Sequence, residues 1–538
     1  MREPLPAGVR TLPALLEARA RSSPRARFVL FDDLRGQVTI RTYREFDREV
    51  NRAAHLLGRL GVRRGDTINL LLTNCLEFLL LWFGAAKLGA VIVPANTASS
   101  ASELEYLVAH SESRLIFTQA AWFDLARQVR SRCPRVREVL VCTGDAPSDL
   151  VDFGRMIAHC PDIPPAAPAP SPADEAAILY TSGTTARPKG VLVTHANYLC
   201  AGETVARAVR LKPEDRHLCV LPLFHGNAQY YSTMSALVAG ASVALMARFS
   251  ASRYFDRAIA HRCTVSSLFA APMRMLLAQP RRREHARNDL RAVIFAQSVT
   301  SAQLDEWEKR FRAPLMQLWG MTETMGPPLI NPFEGERRNM SMGLPAPGYT
   351  SRLVDENGHP VARGEIGQIV VRGEPGLSLM KGYYKNPEAT AETIRDGWLR
   401  SGDNARQDED GYYHFVDRAK DMIKRSGENV AASEVEAVIR EHPAVFDCAV
   451  IGVPDEMRDE AILAVVVPRD GEEGRPAARL TEDDVIGWCR ERLSDFRVPQ
   501  FVRFRTELPR TSVGKIRKHV LRTEILSEAG NGAAGAGS

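Results

Sequence analysis

A segment dense in hydroxyl groups and glycine is the clearest chemical signal in this chain of 538 residues. The segment TSGTTARPKG, residues 181–190, follows the apolar run 176–180 and ends in Lys189 and Gly190. Backbone N–H groups and hydroxyls can donate hydrogen bonds to phosphate oxygens, and a lysine adds a point charge. The sequence therefore predicts a phosphate-binding loop. A flexible surface loop is the plainer interpretation, and this density of donors disfavours it.

The predicted loop is not a P-loop of the Walker type. That motif opens a helix directly after its lysine, whereas here a second apolar run, 190–194, predicts a strand. Phosphate binding is thus expected between two strands.

Six further motifs follow the loop. Together with it they resemble, in the expected order, the motifs of the adenylate-forming superfamily, which includes acyl-CoA synthetases, adenylation domains of peptide synthetases and luciferases. They are LPLFH (221–225), QLWGMTET (317–324), GEIGQIVVRG (364–373), RSGD (400–403), DRAKDMIKRSGENVAASEVE (417–436) and PRTSVGKIRK (509–518). The resemblance covers residues from about 170 to 520, and six motifs in order exclude chance as its explanation.

The resemblance implies an enzyme that converts a carboxylic acid and ATP into an acyl-adenylate, and then into a thioester of coenzyme A. Lys515 is implied as the residue that stabilises the charge building up as pyrophosphate leaves. Glu323 and Thr184 are implied as ligands of Mg²⁺, a metal that prefers hard oxygen donors. The plainer interpretations are a helix first turn for Glu323 and a solvated basic stretch, shared with Lys518, for Lys515.

The resemblance also assigns a nucleotide site. Asp403 is expected to accept both ribose hydroxyls with its two carboxylate oxygens, Arg418 to lie near the ribose, and Trp319 to stack on adenine. Without their neighbours, a Ser-Gly-Asp turn and an isolated tryptophan would be unremarkable. The other expected nucleotide contacts are Thr181, Ser182, Gly183, Thr184, Thr185, Lys189, Gln297, Ser298, Gly320, Met321, Thr322 and Lys515.

The acyl and thiol sites follow from the same resemblance. His225 is implied at the junction of the acyl pocket and the thiol tunnel, although a lone histidine in an apolar run is usually a core side chain. Gly226, Ala228 and Gly326 are expected to line the pocket, and their small size favours a long or bulky acyl group. The expected coenzyme A tunnel is formed by Ser426, Gly427 and Glu428, and the expected hinge residue is Lys420.

One stretch departs from the family pattern. Where relatives usually carry paired glycines that back onto adenine and the acyl group, this chain has Ala296 and Gln297. The added side chains give a hypothesis in which adenylation is slow while a supplied acyl-adenylate is still converted to a thioester. A small shift of the loop that leaves both half-reactions normal is the plainer interpretation.

The elements that must position these residues alternate along the chain. Helical patterns over 12–20 and 43–60 alternate with apolar runs over 67–72 and 90–93, which is typical of an α/β fold. The family implies a large N-terminal domain (1–417) of two α/β subdomains plus a small β-barrel-like one. It also implies a small mobile α+β lid (418–525), and the Gly/Ala-rich tail (526–538) is expected to be disordered.

Composition excludes several classes. A net charge of +5 gives no nucleic-acid footprint, and the longest apolar stretch, 76–95, is broken by charges, glycine and proline, so no membrane span is expected. Nine scattered cysteines argue against a zinc site or disulfide scaffold, and a cytoplasmic location is expected.

Four alternatives to an acyl-CoA synthetase stay open on the sequence. They are an adenylation enzyme that loads an acyl carrier protein, a thioester-forming specialist served by a separate adenylating enzyme, a non-catalytic adenylate-binding protein, and a luciferase-like oxidase. The oligomeric state is not predicted.

Overall fold

The computed structural model describes residues 8–143, 152–181, 187–297, 299–418, 421–425, 428–455, 459–469, 480–510 and 516–534. By its internal contacts the chain divides into two compact units. The first comprises Met1–Gln297, Asp305–Ser351 and Val371–Arg400, and the second comprises Ser298–Leu304, Arg352–Val370 and Ser401–Ser538. The domain limits given above, with a boundary at 417/418, stay a prediction.

The helices of the described residues are numbered in chain order. They are α1 (Leu12–Ser22), α2 (Tyr43–Arg59), α3 (Leu76–Leu88), α4 (Ala101–His110), α5 (Phe123–Arg132), α6 (Phe153–Ala158), α7 (His195–Ala208), α8 (Ser235–Ala239), α9 (Tyr254–Ala260), α10 (Ala270–Leu277), α11 (Ser301–Phe311), α12 (Pro387–Thr393), α13 (Ala432–Arg440), α14 (Glu482–Arg490) and α15 (Lys518–Ala534). A π-helix spans Asn227–Met234, and short 3₁₀ turns include Thr322–Thr324.

The strands are numbered in the same way. They are β1 (Arg27–Asp32), β2 (Val38–Thr42), β3 (Thr67–Leu71), β4 (Val91–Pro94), β5 (Leu115–Gln119), β6 (Glu138–Thr143), β7 (Glu175–Thr181), β8 (Lys189–Thr194), β9 (Arg216–Cys219), β10 (Ser242–Met246), β11 (Val265–Phe269), β12 (Ala292–Ala296), β13 (Leu315–Trp319), β14 (Leu329–Ile330), β15 (Leu344–Pro345), β16 (Thr350–Val354), β17 (Ile366–Arg372), β18 (Gly382–Tyr383), β19 (Ile394–Arg395), β20 (Trp398–Gln407), β21 (Tyr413–Arg418), β22 (Met422–Arg425), β23 (Glu428–Ala431), β24 (Val445–Asp455), β25 (Asp459–Pro468) and β26 (Phe501–Phe504).

Two large sheets organise the first unit. One has the order β18-β8-β7-β4-β3-β5-β6, with β7, β4, β3, β5 and β6 parallel and β8 antiparallel to β7. The other has the order β15-β14-β13-β12-β11-β9-β10-β1-β2, in which β13 through β1 are parallel. Parallel strands joined by helices confirm the predicted α/β class.

Helix α2 shows how the local sequence sets an element. Thr42 and Glu45 form a reciprocal capping box that satisfies backbone N–H groups at the helix start. Phe46, Val50 and Leu57 recur at helical spacing and are fully buried. The predicted helix over 43–60 is confirmed to within one residue.

Helix α3 explains the apolar stretch that carries charges. Lys87 is only 5% exposed. Its ammonium donates to Glu17 at 2.9 Å and to Asp47 at 2.8 Å, so its charge is paired within the first unit. Gly89 ends the helix with a φ of 68°, a conformation that favours glycine. Within the described part of the chain, no helix is long and apolar enough to cross a membrane.

The second unit combines sheet and helix. Its last part holds the sheet β23-β22-β25-β24, with β26 added parallel to β25. Buried Val435 and Ile439 of α13 share an apolar cluster with Val450, Ile462 and Val466 of the sheet. The strands β20 and β21 pair antiparallel ahead of this part.

The predicted disordered tail, 526–538, is wrong over its first part. Helix α15 continues to Ala534. Arg505 bonds Glu524 at 2.8 Å and Glu528 at 2.6 Å, which holds two turns of this helix against the segment after β26.

Two histidines of the first unit are completely buried. His217 on β9 is fully buried, and neither ring nitrogen has a hydrogen-bond partner among the described residues. His195 on α7 accepts a hydrogen bond at Nδ1 from the Leu12 N–H at 3.4 Å. Burial lowers the pKa of each imidazole to about 4.

Acid should therefore destabilise the first unit. Above pH 6.5 these histidines are neutral in both states, but below it only the unfolded chain takes up their protons until the pH reaches about 4. The free energy of unfolding falls by up to about 3 kcal/mol for each of the two histidines. We expect the thermal midpoint of His217→Leu to fall less than that of wild type when the pH is lowered from 7 to 5. The exposed His159, changed to leucine, serves as the control. An equal acid loss in wild type and His217→Leu would contradict this origin.

Candidate active site

The predicted phosphate loop is held by an antiparallel hairpin. Thr181, the last residue of β7, lies opposite Lys189, the first residue of β8, and its hydroxyl donates to the Lys189 carbonyl at 3.5 Å. A Cβ at Gly190 would lie 2.7 Å from Ile178 Cγ2, so close packing requires glycine there. The two strands predicted before and after the loop are confirmed as β7 and β8. Ser182, Gly183, Thr184 and Thr185 lie outside the described residues.

A tyrosine connects the lysine of this hairpin to the predicted metal ligand. Lys189 Nζ lies 4.9 Å from the centre of the Tyr383 ring. The Tyr383 hydroxyl donates to Glu323 Oε1 at 2.9 Å, and the Met380 N–H donates to the Glu323 carbonyl oxygen at 2.8 Å. Burial, followed by the charge of Glu323, raises the pKa of Tyr383, so the hydroxyl keeps its proton and acts as a donor.

Glu323 lies in a buried turn. Its exposed fraction is 6%, and it belongs to the short 3₁₀ turn Thr322–Thr324 that follows β13. The Thr324 side chain is fully buried, and the Met321 N–H donates to its hydroxyl at 3.0 Å. This turn brings Gly320, Met321 and Thr322 together with Glu323 at the end of a strand.

Two neighbouring tyrosines fix the shape of this turn. A Cβ at Gly320 would lie 2.7 Å from the Tyr231 hydroxyl, which leaves no space for a side chain. The Tyr349 hydroxyl accepts from the Gly326 N–H at 3.0 Å and donates to the Thr324 carbonyl at 2.9 Å. Trp319, at the end of β13, is 7% exposed and pairs in register with Leu329 of β14.

The departure from paired glycines coincides with an unusual backbone conformation. Gln297 follows β12 and has a φ of 76°, in the left-handed region that favours glycine. Ala296, the last residue of β12, pairs with Phe269 at the end of β11. The chain has thus kept a glycine-like backbone while carrying a glutamine. Ser298 lies outside the described residues.

His225 lies beside this strand end. Its ring meets the Phe269 ring edge-on, with centroids 5.9 Å apart at 85°. Its Nδ1 accepts from the Asn227 N–H at 3.4 Å, at the start of the π-helix. Through Phe269, the structure brings His225 close to Ala296 and Gln297. π-Helices are rare in proteins, and those that do occur are often found at functional sites.

The glycines expected to widen the acyl pocket do not leave empty space. A Cβ at Gly226 would lie 2.9 Å from the Tyr230 ring, and one at Gly326 would lie 2.8 Å from the Tyr349 hydroxyl. Ala228 is fully buried. Tyr230 and Tyr349 therefore occupy the space beside Gly226 and Gly326. The expectation of a long or bulky acyl group has no support at these two positions.

Two polar side-chain atoms of the π-helix Asn227–Met234 are buried. The Tyr230 hydroxyl and Asn227 Oδ1 have no hydrogen-bond partner among the described residues, and these side chains belong to residues that are 2% and 6% exposed. The Tyr230 ring lies 5.7 Å from that of Tyr198, in an edge-on arrangement. Burial raises the pKa of Tyr230, and the charge of Glu323 raises it further.

The sequence reasoning missed Tyr383, Tyr230 and Asn227. Asn227 and Tyr230 directly follow LPLFH, so their place after a motif was a usable signal. Tyr383 offered no such signal, because its partner Glu323 lies 60 positions away in the sequence.

The second unit holds the predicted ribose-binding pair. Asp403 on β20 lies opposite Arg418 on β21, and Arg418 Nε is 3.3 Å from Asp403 Oδ1. The Asp403 N–H donates to the Ser401 hydroxyl at 3.1 Å, which fixes the backbone at Asp403. Glu428 begins β23 opposite Arg425. Lys420, Ser426, Gly427 and Lys515 lie outside the described residues.

The chemistry available in the first unit combines a cation, a carboxylate and hydrogen-bond donors. Lys189 can attract phosphate, and Glu323 can hold a hard cation. His225, Asn227 and Tyr230 supply polar groups for a second ligand component. This set suits a nucleotide and a polar small molecule bound side by side.

Comparison with known proteins supports this picture over nearly the full chain. Residues 16–384 match the family described as AMP-binding enzyme, and residues 434–515 match the AMP-binding enzyme C-terminal domain. The crotonobetaine/carnitine–CoA ligase of Salmonella typhi is 36% identical over 499 residues, which cover 92% of this chain and 95% of that protein.

Solved structures are similar over the same extent. ATP-bound MatB from Rhodopseudomonas palustris has a TM-score of 0.85 at 28% identity, covering 95% of this chain and 98% of that one. The anthranilate CoA ligase AuaEII in complex with anthranoyl-AMP has a TM-score of 0.86 at 27% identity, covering 96% and 98%. A benzoate CoA ligase from Burkholderia xenovorans LB400 has a TM-score of 0.83 at 27% identity, covering 96% and 100%.

Proposed function

The chain belongs to the family of AMP-binding enzymes and is an AMP-forming acyl-CoA synthetase, and on this premise we propose that its acid is compact and carries a polar or cationic group. Its substrates are ATP, a small carboxylic acid and coenzyme A. The observation that carries the proposal is a pair of buried polar atoms, Asn227 Oδ1 and the Tyr230 hydroxyl, for which the described residues supply no hydrogen-bond partner.

Those two atoms favour a polar ligand on energetic grounds. A buried polar atom without a hydrogen bond costs about 1–3 kcal/mol, so a substrate group that bonds it gains affinity. The charge of Glu323 acts on Tyr230, so a cationic group bound near Tyr230 would be attracted by a negative charge and by an aromatic ring. Crotonobetaine and carnitine, named for the Salmonella relative, are acids with a quaternary ammonium group and are the first candidates.

The nucleotide end is assigned on the family pattern. In this proposal Lys189 and the 181–185 segment bind the phosphates, Trp319 to Thr322 contact adenine and the α-phosphate, and Asp403 with Arg418 bind the ribose. The acid's carboxylate oxygen attacks the α-phosphorus, and pyrophosphate leaves with the bonding electrons. Lys515 stabilises the charge that develops on both groups.

Mg²⁺ belongs to the same proposal. Glu323 suits this metal because Mg²⁺ takes most of its ligands from phosphates and water and needs only one or two carboxylates from the protein, and the Glu323 carboxylate is buried near Lys189 and Tyr383. Thr184 is the second proposed ligand. Bound Mg²⁺ would offset the negative charge of pyrophosphate.

The second half-reaction uses other residues of the chain. The coenzyme A thiol loses its proton, its sulfur attacks the acyl carbon, and AMP leaves. The proposal keeps His225 at the junction of acyl and thiol, Ser426 to Glu428 along the thiol path, and Lys420 as the hinge of a moving lid.

A thioester-forming specialist is a second candidate, favoured by Gln297. A glutamine with a φ of 76° strains the loop that is expected to back onto adenine and the acyl group. In that case a separate adenylating enzyme supplies the acyl-adenylate. A carrier protein as acceptor stays a prediction of the sequence.

Removing one hydroxyl tests the acid class. Tyr230→Phe should lower kcat/KM by about 10-fold to 100-fold for an acid whose polar group bonds Tyr230, because that bond is lost in a buried site. Activity with benzoate, which lacks such a group, should change less than twofold. The assay reads AMP and thioester by mass spectrometry over betaine, hydroxy, aromatic and long-chain acids.

Tyr254→Phe is the matched control, since Tyr254 is likewise 2% exposed but lies on α9. Efficient turnover of long-chain acids alone, unchanged by Tyr230→Phe, would overturn the compact-acid proposal and leave the enzyme class intact.

Replacing Gln297 by glycine tests the second candidate. Glycine removes the side chain that the hypothesis places against adenine and the acyl group, so pyrophosphate exchange should rise about threefold to tenfold relative to thioester formation from supplied acyl-adenylate. Arg262→Gly, at a φ of 52° after α9, is the matched control. Wild-type exchange that already equals the thioester rate would eliminate this candidate.

A further inference from the structure

Five charged side chains of alternating sign form one continuous network in the second unit. Lys518 Nζ lies 2.8 Å from Glu436 Oε1, and Glu436 Oε2 lies 3.0 Å from Arg440 Nη2. Arg440 Nε lies 3.1 Å from Asp447 Oδ1, and Asp447 Oδ2 bonds Arg510. The network therefore joins Lys518 to Arg510 through the helix α13 and the start of β24.

This network is buried. The side chains of Asp447 and Glu436 are 2% and 7% exposed, and those of Lys518 and Arg440 are 16% and 18% exposed. Burial acts to lower the pKa of Lys518, but Glu436 and Asp417 outweigh it, so the pKa is raised and the ammonium stays charged. The solvated basic stretch that the sequence offered as the plainer interpretation is thus wrong for Lys518.

Backbone donors fix the two carboxylates. The Val450 N–H donates to Glu436 Oε1 at 2.9 Å, and the Cys448 N–H donates to Asp447 Oδ1 at 2.9 Å. Arg440 also donates to the Cys448 carbonyl at 2.9 Å. Buried ion pairs give little net stability over apolar residues of the same volume, whereas they fix geometry. A role in positioning accounts for the network better than a role in stability.

The two ends of the network flank the segment that carries Lys515. Arg510 forms an isolated antiparallel bridge with Ile516, and the Arg517 N–H donates to the Pro509 carbonyl at 2.7 Å. Arg510 and Lys518 thus anchor the chain directly before and directly after residues 511–517. The same Lys518 faces Asp417, whose carboxylate accepts from the Ser433 N–H at 3.0 Å.

We propose that Glu436 is a positioning residue for the adenylation half-reaction, which holds Lys518 directly and Arg510 through Arg440 and Asp447. By fixing Arg510 and Lys518, it holds the described residues before and after Lys515, the residue proposed to stabilise the departing pyrophosphate. This inference rests on the proposed role of Lys515. Glu436 itself touches no reacting atom in the proposal.

The test compares two half-reactions of the full-length enzyme. Acid-dependent ATP–pyrophosphate exchange reports adenylation, and thioester formation from supplied acyl-adenylate and coenzyme A reports the second step. Glu436→Gln keeps the shape of the side chain and removes its charge. We expect exchange to fall about 10-fold to 100-fold, as for a misplaced catalytic group, while the thioester step stays within about twofold.

Glu434→Gln is the matched control. Glu434 lies two positions earlier on α13, and it pairs with Arg497 at 3.2 Å with its side chain 42% exposed. Its loss should leave both half-reactions unchanged. Arg510→Lys keeps the charge, replaces the guanidinium that bonds Asp447 by an ammonium, and should lower exchange in the same direction by a smaller factor. It provides the test if Glu436→Gln does not fold.

The outcomes separate this inference from the function it rests on. Lys515→Ala should lose exchange and keep the thioester step, and retention of exchange by Lys515→Ala would refute the proposed role of Lys515. Loss of exchange in Lys515→Ala with normal exchange in Glu436→Gln, or in a folded Arg510→Lys, would refute only the positioning role. Equal losses of both half-reactions in the folded variants would also overturn it, since they indicate a structural role.

Discussion

The hydrogen bond between Tyr383 and the buried Glu323 carboxylate is the interaction around which the first unit's site is arranged. A carboxylate with so little exposure is unfavourable unless donors compensate its desolvation. The Tyr383 hydroxyl supplies one such donor at 2.9 Å, and the same ring faces Lys189. One side chain therefore fixes the distance between a predicted phosphate-binding cation and a predicted metal ligand.

Close packing around this bond explains the residue types of the neighbouring turn. Gly320 has no space for a Cβ beneath the Tyr231 hydroxyl, and Gly326 has none beneath Tyr349. Tyrosines thus occupy the volume that the glycines release, and the Tyr349 hydroxyl also bonds two backbone groups, the Gly326 N–H and the Thr324 carbonyl. Buried charge is handled differently in the second unit, where Glu436 and Asp447 are compensated by Arg440, Lys518 and Arg510.

Much of the fold could be predicted from the sequence because local patterns fix it. The periodicity of α2 and the apolar run of β3 gave their limits to within a residue, and the hydroxyl-rich motif lies between two strands as expected. The long-range contacts could not be predicted. Tyr383 meets Glu323 across 60 positions, and nothing local marks it.

Three further differences between the sequence expectations and the structure have physical reasons. The disordered tail was predicted from composition alone, whereas Glu528 is held by Arg505 within α15. The plainer interpretation weighed for Lys515, a solvated basic stretch, included Lys518. It does not hold for Lys518, whose buried partner Glu436 lies 82 positions earlier in the sequence. The small size of Gly226 favoured a wide acyl pocket, but the Tyr230 ring occupies the space beside that glycine.

The most direct measurement of the role given to the Glu323 carboxylate is acid-dependent ATP–pyrophosphate exchange by Glu323→Gln. Glutamine keeps an oxygen that accepts from Tyr383 but removes the negative charge. If the charge serves the nucleotide, exchange should fall by about 10²–10³ while the thermal midpoint stays within a few degrees of wild type. Exchange at the wild-type rate would mean that Glu323 is a structural acceptor for Tyr383 and nothing more.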